Sequence, residues 1–509
     1  MVSTHLVDAI RDPSHVIIDL YDEGGSPQMD FPAQVTSHFA TVFRMQDSIQ
    51  RIPQLSLSYP PDAHPDRSLV RFRGMIQDIP SPEMYLSRLP EGRCGGWNIY
   101  QGLDAPTPTD INFHDLRKCS VFWAITVPGE SQWYAERLEG TLSNQGNTHR
   151  LLSSSRPNCV DYTTFVGILT WESILRLSPP EFVRIVTETE PEAVVPVIQV
   201  TGVQVPSPKI PSEPRGNAII AVYEALVNWV SQEALAGDRD AAELIILCSV
   251  ARVQSRNPSI MPPSLQLTRF PSPKNGIFVP AICSVLSKLL PLFSVVKLSL
   301  EALNNDRFIP ESNGEDLSSG YLQVPAGSVI LIAENGIQEG NVVEKGMRSL
   351  KDVQDVMSNQ NLRYAFPFSQ LSFNTEIGFI LLVEGRRSPF FTTDILLPLQ
   401  PQSMDTTPLY KSESEIKIPD QGQLDDFRNL LFSAKRREKA GMPKQLAELI
   451  ENDFVEERKG DKSVTQNDLM MKITIVRLLG LLFQAEELSV ELWERAKELE
   501  VRRKKRSQV

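Results

Sequence analysis

The stretch GSVILIAENG, Gly327 to Gly336, constrains this chain more than any other. Its apolar run shows no polar alternation, the pattern of a parallel strand covered on both faces. The run ends on Glu334. A buried strand that delivers an acid to its tip is how many ATPases hold magnesium and orient water. The stretch therefore poses two alternatives, a nucleotide hydrolase or the shape of one without its chemistry.

Hydrolysis needs a second part. Backbone N–H groups of a Gly-rich loop must cradle the phosphates, and a Lys must neutralise them. The pattern G-x-x-x-x-G-K-[ST] occurs nowhere. The nearest piece in the right order is PSPKNGIF, 271–278, where Lys274 precedes Gly276 and no hydroxyl follows. Ala333 stands before Glu334, where a metal-binding Asp would be needed. The plain expectation for Glu334 is a solvated residue at a strand end.

Other chemistries find less support. The six histidines all lie in the first 150 residues and none forms H-E-x-x-H. There is no C-x-x-C and no G-x-S-x-G. The five cysteines, Cys94, Cys119, Cys159, Cys248 and Cys283, are widely spaced and odd in number, as expected of reduced thiols. No metal or cofactor is expected. The net charge of -12 opposes broad binding to phosphate backbones. VRFRG, with Arg71 and Arg73 around Phe72, leaves single-stranded DNA contact open as an alternative. No apolar run reaches the roughly 18 residues of a membrane span, and MVSTHLVDAIRD lacks the pattern of a secretory signal.

The chain, at 509 residues, is long enough for several domains, and 41% hydrophobic content suffices for packed cores. Residues 1–60 form a helical or irregular segment in which FPAQVTSHFATVF reads as an amphipathic helix. Residues 61–200 are β-rich, with a mobile loop near 141–158. In this part SLVRFRGMIQDI alternates with period two, so Val70, Phe72, Gly74 and Ile76 share the buried face of a half-buried strand. The Pro-rich stretch in 201–217 reads as a linker. Residues 218–400 alternate helices with apolar strands, an α/β pattern. Here Asp240 and Glu243 have capping-box spacing, and VVKLSLEAL reads as strand. Residues 401–423 read as a second linker, and 424–509 as helices, with Thr465 and Asp468 capping one and Ser489 the last. The tail Arg502, Arg503, Lys504, Lys505 and Arg506 admits two compatible readings: a nuclear import signal, or cations favoured at a helix C-terminus.

The order of certain blocks is familiar. LVRFRGMIQDIPSPEMYL (69–86), VPGESQW (127–133), GDRDAAELIIL (237–247), LSSGYLQVPAGSVILIAENGIQEG (317–340), ENDFVEERKGDKSVTQNDL (451–469) and LWERAKELEVRRKKR (492–506) resemble the minichromosome maintenance (MCM) complex-binding protein family. They run in order over nearly the whole chain. That family in turn resembles the MCM helicase subunits. The resemblance implies an N-terminal OB-like barrel, a degenerate AAA+-like α/β core in which Ala333 and Glu334 hold a degenerate strand-tip position, and a C-terminal helical lid. EIGFILLVEGRRS (376–388) resembles the later strand that would carry a nucleotide sensor. The implied function is non-enzymatic: a nuclear partner of MCM subunits that stands in place of one subunit. Family members are implicated in subunit protection and supply, unloading from chromatin, and sister-chromatid cohesion. Chromatin association would be indirect and no membrane is involved. A divergent ATPase remains the alternative.

Overall fold

The computed structural model describes residues 9–23, 31–43, 49–56, 59–78, 83–89, 92–95, 113–119, 122–142, 162–173, 194–204, 217–273, 279–313, 316–334, 337, 340–367, 369–403, 405–437 and 440–507. Lys274 and the loop near 141–158 lie outside this set, apart from 141 and 142, and so does the Pro-rich linker between 205 and 216. The chain divides into two compact units, one built mainly from residues 1–209 and one mainly from 210–509.

In the first unit, helices α1 (Pro13–Glu23) and α2 (Phe31–Phe43) accompany a sheet. The sheet comprises β1 (Gln54–Leu55), β2 (Leu69–Asp78), β3 (Trp123–Ile125), β4 (Tyr162–Ser173) and β5 (Val194–Gln204). β2 is its hub: β1 joins it in parallel, and β3 and β4 in antiparallel fashion, while β5 extends the sheet beyond β4. Among the described residues these pairings do not close into a barrel. The helical reading of FPAQVTSHFATVF holds. The half-buried reading of β2 does not. Leu69 and Met75 are as fully buried as Val70 and Ile76. Leu69 packs with Ile17 and Phe39 of the helices, whereas Val70 packs with Leu55, Leu169 and Phe72, so both faces are covered.

In the second unit, α3 (Asn217–Ala234) and α4 (Arg239–Val250) precede β6 (Leu265–Thr268), α5 (Ala281–Leu289), β7 (Phe293–Lys297), α6 (Leu300–Asn305) and β8 (Ser328–Ala333). Then come α7 (Glu344–Asn359), β9 (Ile377–Leu382) and β10 (Ile395–Pro398), followed by α8 (Gln421–Arg436), α9 (Lys444–Gly460), α10 (Gln466–Leu482) and α11 (Val490–Ser507). The five strands form one all-parallel sheet in the order β7-β8-β9-β6-β10. Every residue of β8 and of β9 is buried, which explains their unbroken apolar sequences. Val329, Leu331 and Ala333 of β8 face a core shared with α3, α4, α5, α8, α10 and α11. The C-terminal helices therefore share one hydrophobic core with the sheet.

Two sequence expectations change here. LEAL of the expected strand is helix α6, because Ser299 accepts the Ala302 N–H at 3.0 Å and starts a helix where the strand should continue. The segment 401–423 is packed as a strap, not extended as a linker. Leu409, Tyr410 and Ile416 enter the core, the Tyr410 hydroxyl donates to the Pro271 carbonyl at 2.6 Å, and Trp229 Nε1 donates to the Lys417 carbonyl at 2.8 Å.

Candidate functional site

The tip of β8 sits at the carboxyl end of the parallel sheet, where open α/β sheets place their ligands. The register sets Ala333 beside Leu382 of β9 and Lys297 of β7. Ala333 is buried and belongs to the core, so its methyl group fills packing space where a metal-binding carboxylate would need water.

Glu334 is not the solvated strand-end residue its position suggested. It is 5% exposed, and its backbone N–H donates to the Leu382 carbonyl at 2.9 Å. The Ser388 hydroxyl donates to Oε1 at 2.7 Å and itself accepts the N–H groups of Phe390 and Phe391 at 3.0 and 2.9 Å. Oε2 is buried and has no hydrogen-bond partner among the described residues. Burial raises this carboxyl and the Ser388 hydrogen bond only partly offsets it, leaving a pKa of about 7. Here it serves as a hydrogen-bonded anchor between β8 and the turn after β9. Among the described residues no group of three His, Cys, Asp or Glu side chains is placed to hold a metal ion. Burial pushes the thiols of Cys94 and Cys283 up to about 12 and raises that of Cys248, so these cysteines are poor nucleophiles.

The second feature is the clamp between the C-terminal helix and the start of α4. The α4 N-cap is Asp238, whose Oδ1 accepts the Ala241 N–H at 3.1 Å. Asp240 and Glu243 therefore do not form the expected capping box. Their carboxylates turn to α11. Glu243 is 4% exposed and accepts hydrogen bonds from the Tyr223 hydroxyl at 2.9 Å and from Arg495 at 3.2 Å. Arg495 also reaches Glu224 at 2.9 Å and lies over the rings of Tyr223 and Phe483 at 4.9 and 5.3 Å. This buried charge is thus paired and stacked, as a desolvated carboxylate requires.

The basic tail continues the clamp. Arg502 contacts Asp240 at 2.8 Å, Arg503 contacts Glu500 at 2.6 Å and Lys504 contacts Asp468 at 2.7 Å. Arg506 contacts Asp238 at 2.8 Å and Asp240 at 2.6 Å. The Thr465–Asp468 capping box is present as expected, and Ser489 starts α11. No local pattern pointed to Asp238, Glu243 or Arg495 as partners.

Two other sequence features are engaged in local structure. Arg71 Nε donates to the Ile52 carbonyl at 3.1 Å, and the Arg73 guanidinium lies 6.0 Å from the Tyr134 ring centre. The segment Gly129–Trp133 of the VPGESQW block belongs to the second unit. Its Trp133 Nε1 donates to the Ser287 carbonyl at 3.0 Å beneath the Arg428 guanidinium, 4.2 Å from the ring centre. Gly129 has φ +71°, and a Cβ there would lie 2.3 Å from the Ser294 hydroxyl, so only glycine fits.

Comparison with known proteins covers nearly the whole chain. Residues 39–162 and 160–507 match the family described as mini-chromosome maintenance replisome factor. The mini-chromosome maintenance complex-binding protein of Gallus gallus is 23% identical over 636 residues, covering 99% of this chain and 98% of that protein. The protein of the same name from Arabidopsis thaliana is 23% identical over 586 residues, covering 96% and 95%. The one from Homo sapiens is 28% identical over 278 residues, covering 54% and 43%. The chain belongs to the mini-chromosome maintenance replisome factor family.

Proposed function

We propose that this chain is a non-catalytic binding partner and chaperone of MCM replicative helicase subunits, joining them in place of one ordinary subunit. In this reading it serves MCM assembly and supply, unloading from chromatin, DNA replication and sister-chromatid cohesion. It acts in the nucleus and reaches chromatin indirectly, through its partners. The observation that carries the reading is similarity, over almost the full length of both chains, to proteins named for binding the MCM complex.

The physical account starts from ring assembly. Subunits of a ring meet through heterologous faces that stay adhesive until the ring closes. A protein with a subunit-like scaffold can cover one such face. Several features support a scaffold of that kind, AAA+-like in plan. The strand that ends on Glu334 lies beside β9, the strand of the EIGFILLVEGRRS block, and the C-terminal helices share their core. With Ala333 packed in the core and no Gly-rich phosphate loop in the sequence, the contact would carry no nucleotide-dependent lock. Such a partner can be displaced by an ordinary subunit or can withdraw one. The sheet alone would suit a divergent ATPase; the packed Ala333 and the missing G-x-x-x-x-G-K-[ST] loop weigh against that alternative.

Affinity purification of the chain from cells, followed by mass spectrometry, tests the reading. MCM subunits are expected as the dominant partners. A partner set without any of them would remove the basis of the proposal.

A further inference from the structure

Arg502, Lys504 and Arg506 lie on α11, yet their partners lie on or beside the N-termini of two other helices. Asp238 and Asp240 open α4, and Asp468 sits in the first turn of α10. Asp238 is the most constrained of these. Its side chain has no exposed surface, and its oxygens accept the Ala241 N–H at 3.1 Å and the Gln400 N–H at 2.7 Å. Arg506 Nη1 donates towards both oxygens of Asp238, at 2.9 and 2.8 Å, which neutralises a carboxylate that water cannot reach. Arg503 points inward, 14% exposed, and donates to the Leu396 carbonyl of β10 at 3.1 Å. Among the described residues Lys505 is the one member of the run without a recorded ion pair, and it is exposed.

Arg502 and Lys504 keep 44% and 34% of their side-chain surface exposed, while Arg503 and Arg506 are held inward at 14% and 15%, so the run is tied down along one side. The Arg506 guanidinium already spends Nη1 on Asp238 and Nη2 on Asp240, and Lys504 is spent on Asp468, so a receptor whose groove offers its own acidic groups must displace these carboxylates to read the run. We infer that the C-terminal basic run is an intramolecular latch, so that an import receptor can read Arg502–Arg506 only after the end of α11 lifts from α4 and α10. This rests on the nuclear reading proposed above. It adds that the signal is masked in the folded chain and that Asp238, Asp240 and Asp468 are the groups that mask it.

The latch and the signal are tested separately on full-length protein. Wild type, Asp240→Asn, Asp468→Asn and the double variant, which remove charge without adding any, are titrated into a purified nuclear-import adaptor that carries an acidic peptide groove. A free peptide spanning residues 498–509 is the control. Asp238 is left intact because it caps α4, and thermal melts confirm that each variant is folded. The free peptide is expected to bind, the wild-type chain at least tenfold more weakly, and the double variant, which keeps only the Arg506–Asp238 tie, at least threefold more tightly than wild type. Wild type binding as tightly as the peptide would overturn the latch, as would a double variant no tighter than wild type. Failure of the peptide to bind would sink the import reading instead. Hydrogen exchange at 500–507 then judges the latch by itself: protection in wild type that falls at least tenfold in the double variant supports it, and equal rates overturn it.

Discussion

Arg506 and Asp238, 268 residues apart in sequence, form an ion pair in which Arg506 Nη1 lies 2.9 and 2.8 Å from the two carboxylate oxygens. The pair joins the last turn of the C-terminal helix to the cap of α4. Removing one member of a buried pair strands the other charge, at a cost of roughly 3–5 kcal/mol. Asp238 keeps two backbone N–H donors, so the lower end applies. Arg506→Ala is expected to lower the unfolding free energy of the second unit by about 3 kcal/mol. Urea denaturation measures this, and a loss under about 1 kcal/mol would mean that the clamp adds little.

Glu334 predicts an opposite sign. Its folded pKa of about 7 lies above its ordinary value of 4.5. The unfolded chain loses this proton first, so the residue costs stability progressively as pH rises from about 4.5 to 7. Glu334→Gln keeps a hydrogen-bonding side chain and removes that cost. The variant should be more stable than wild type at pH 8, by up to roughly 3 kcal/mol, and nearly equal to it at pH 4. Denaturation at the two pH values checks this. A variant less stable at pH 8 would show that the carboxylate is needed in charged form.

Asp468 gives the acid limb. Burial opposes its ionisation, but hydrogen bonds from Lys504 and Thr465 outweigh burial and bring its pKa to about 2. Its contribution is present above the ordinary value of 3.8 and is lost as pH falls from there towards 2. Because the pair is partly solvated, the contribution is expected to be no more than about 1 kcal/mol. Lys504→Met should abolish most of that slope and raise the Asp468 pKa towards 3.8, as read by side-chain carboxyl NMR. An unchanged pKa would show that Lys504 is not the partner that holds it down.

Tyr223 tests the buried network. Tyr223→Phe preserves the ring under Arg495 and deletes the hydroxyl donor to Glu243. A loss of about 1–2 kcal/mol is expected, because a buried carboxylate oxygen then lacks one of its donors. Calorimetric melting measures it, and an unchanged melting temperature would place the burden on Arg495 alone.

How much of this was legible in the sequence depended on range. β8 was readable because both of its faces are buried, which leaves no polar residue in the run. The Thr465–Asp468 box was readable because capping is a contact between residues three apart. The same rule misled at Asp240 and Glu243, whose spacing fits a cap while their true partners lie on α11. The burial of Glu334 depends on Ser388, 54 residues away, and no local pattern announces it. The strap at 401–423 looked like a linker because Leu409, Tyr410 and Ile416 are isolated apolar residues among prolines and charges, with no period to betray a buried face.

Nucleotide chemistry offers a direct check on Ala333 and Glu334. Phosphate release from ATP with magnesium is expected to stay at background for wild type and for Glu334→Gln alike. Turnover by wild type that the substitution abolishes would establish a divergent ATPase.

The central claim is a nucleotide-independent contact with MCM subunits. Size-exclusion chromatography of the full-length chain with each purified subunit, with and without ATP and magnesium, tests it most directly. The account predicts a stable complex with at least one subunit at micromolar concentration, unchanged by nucleotide. No complex with any subunit, or one that forms only with ATP, would contradict it.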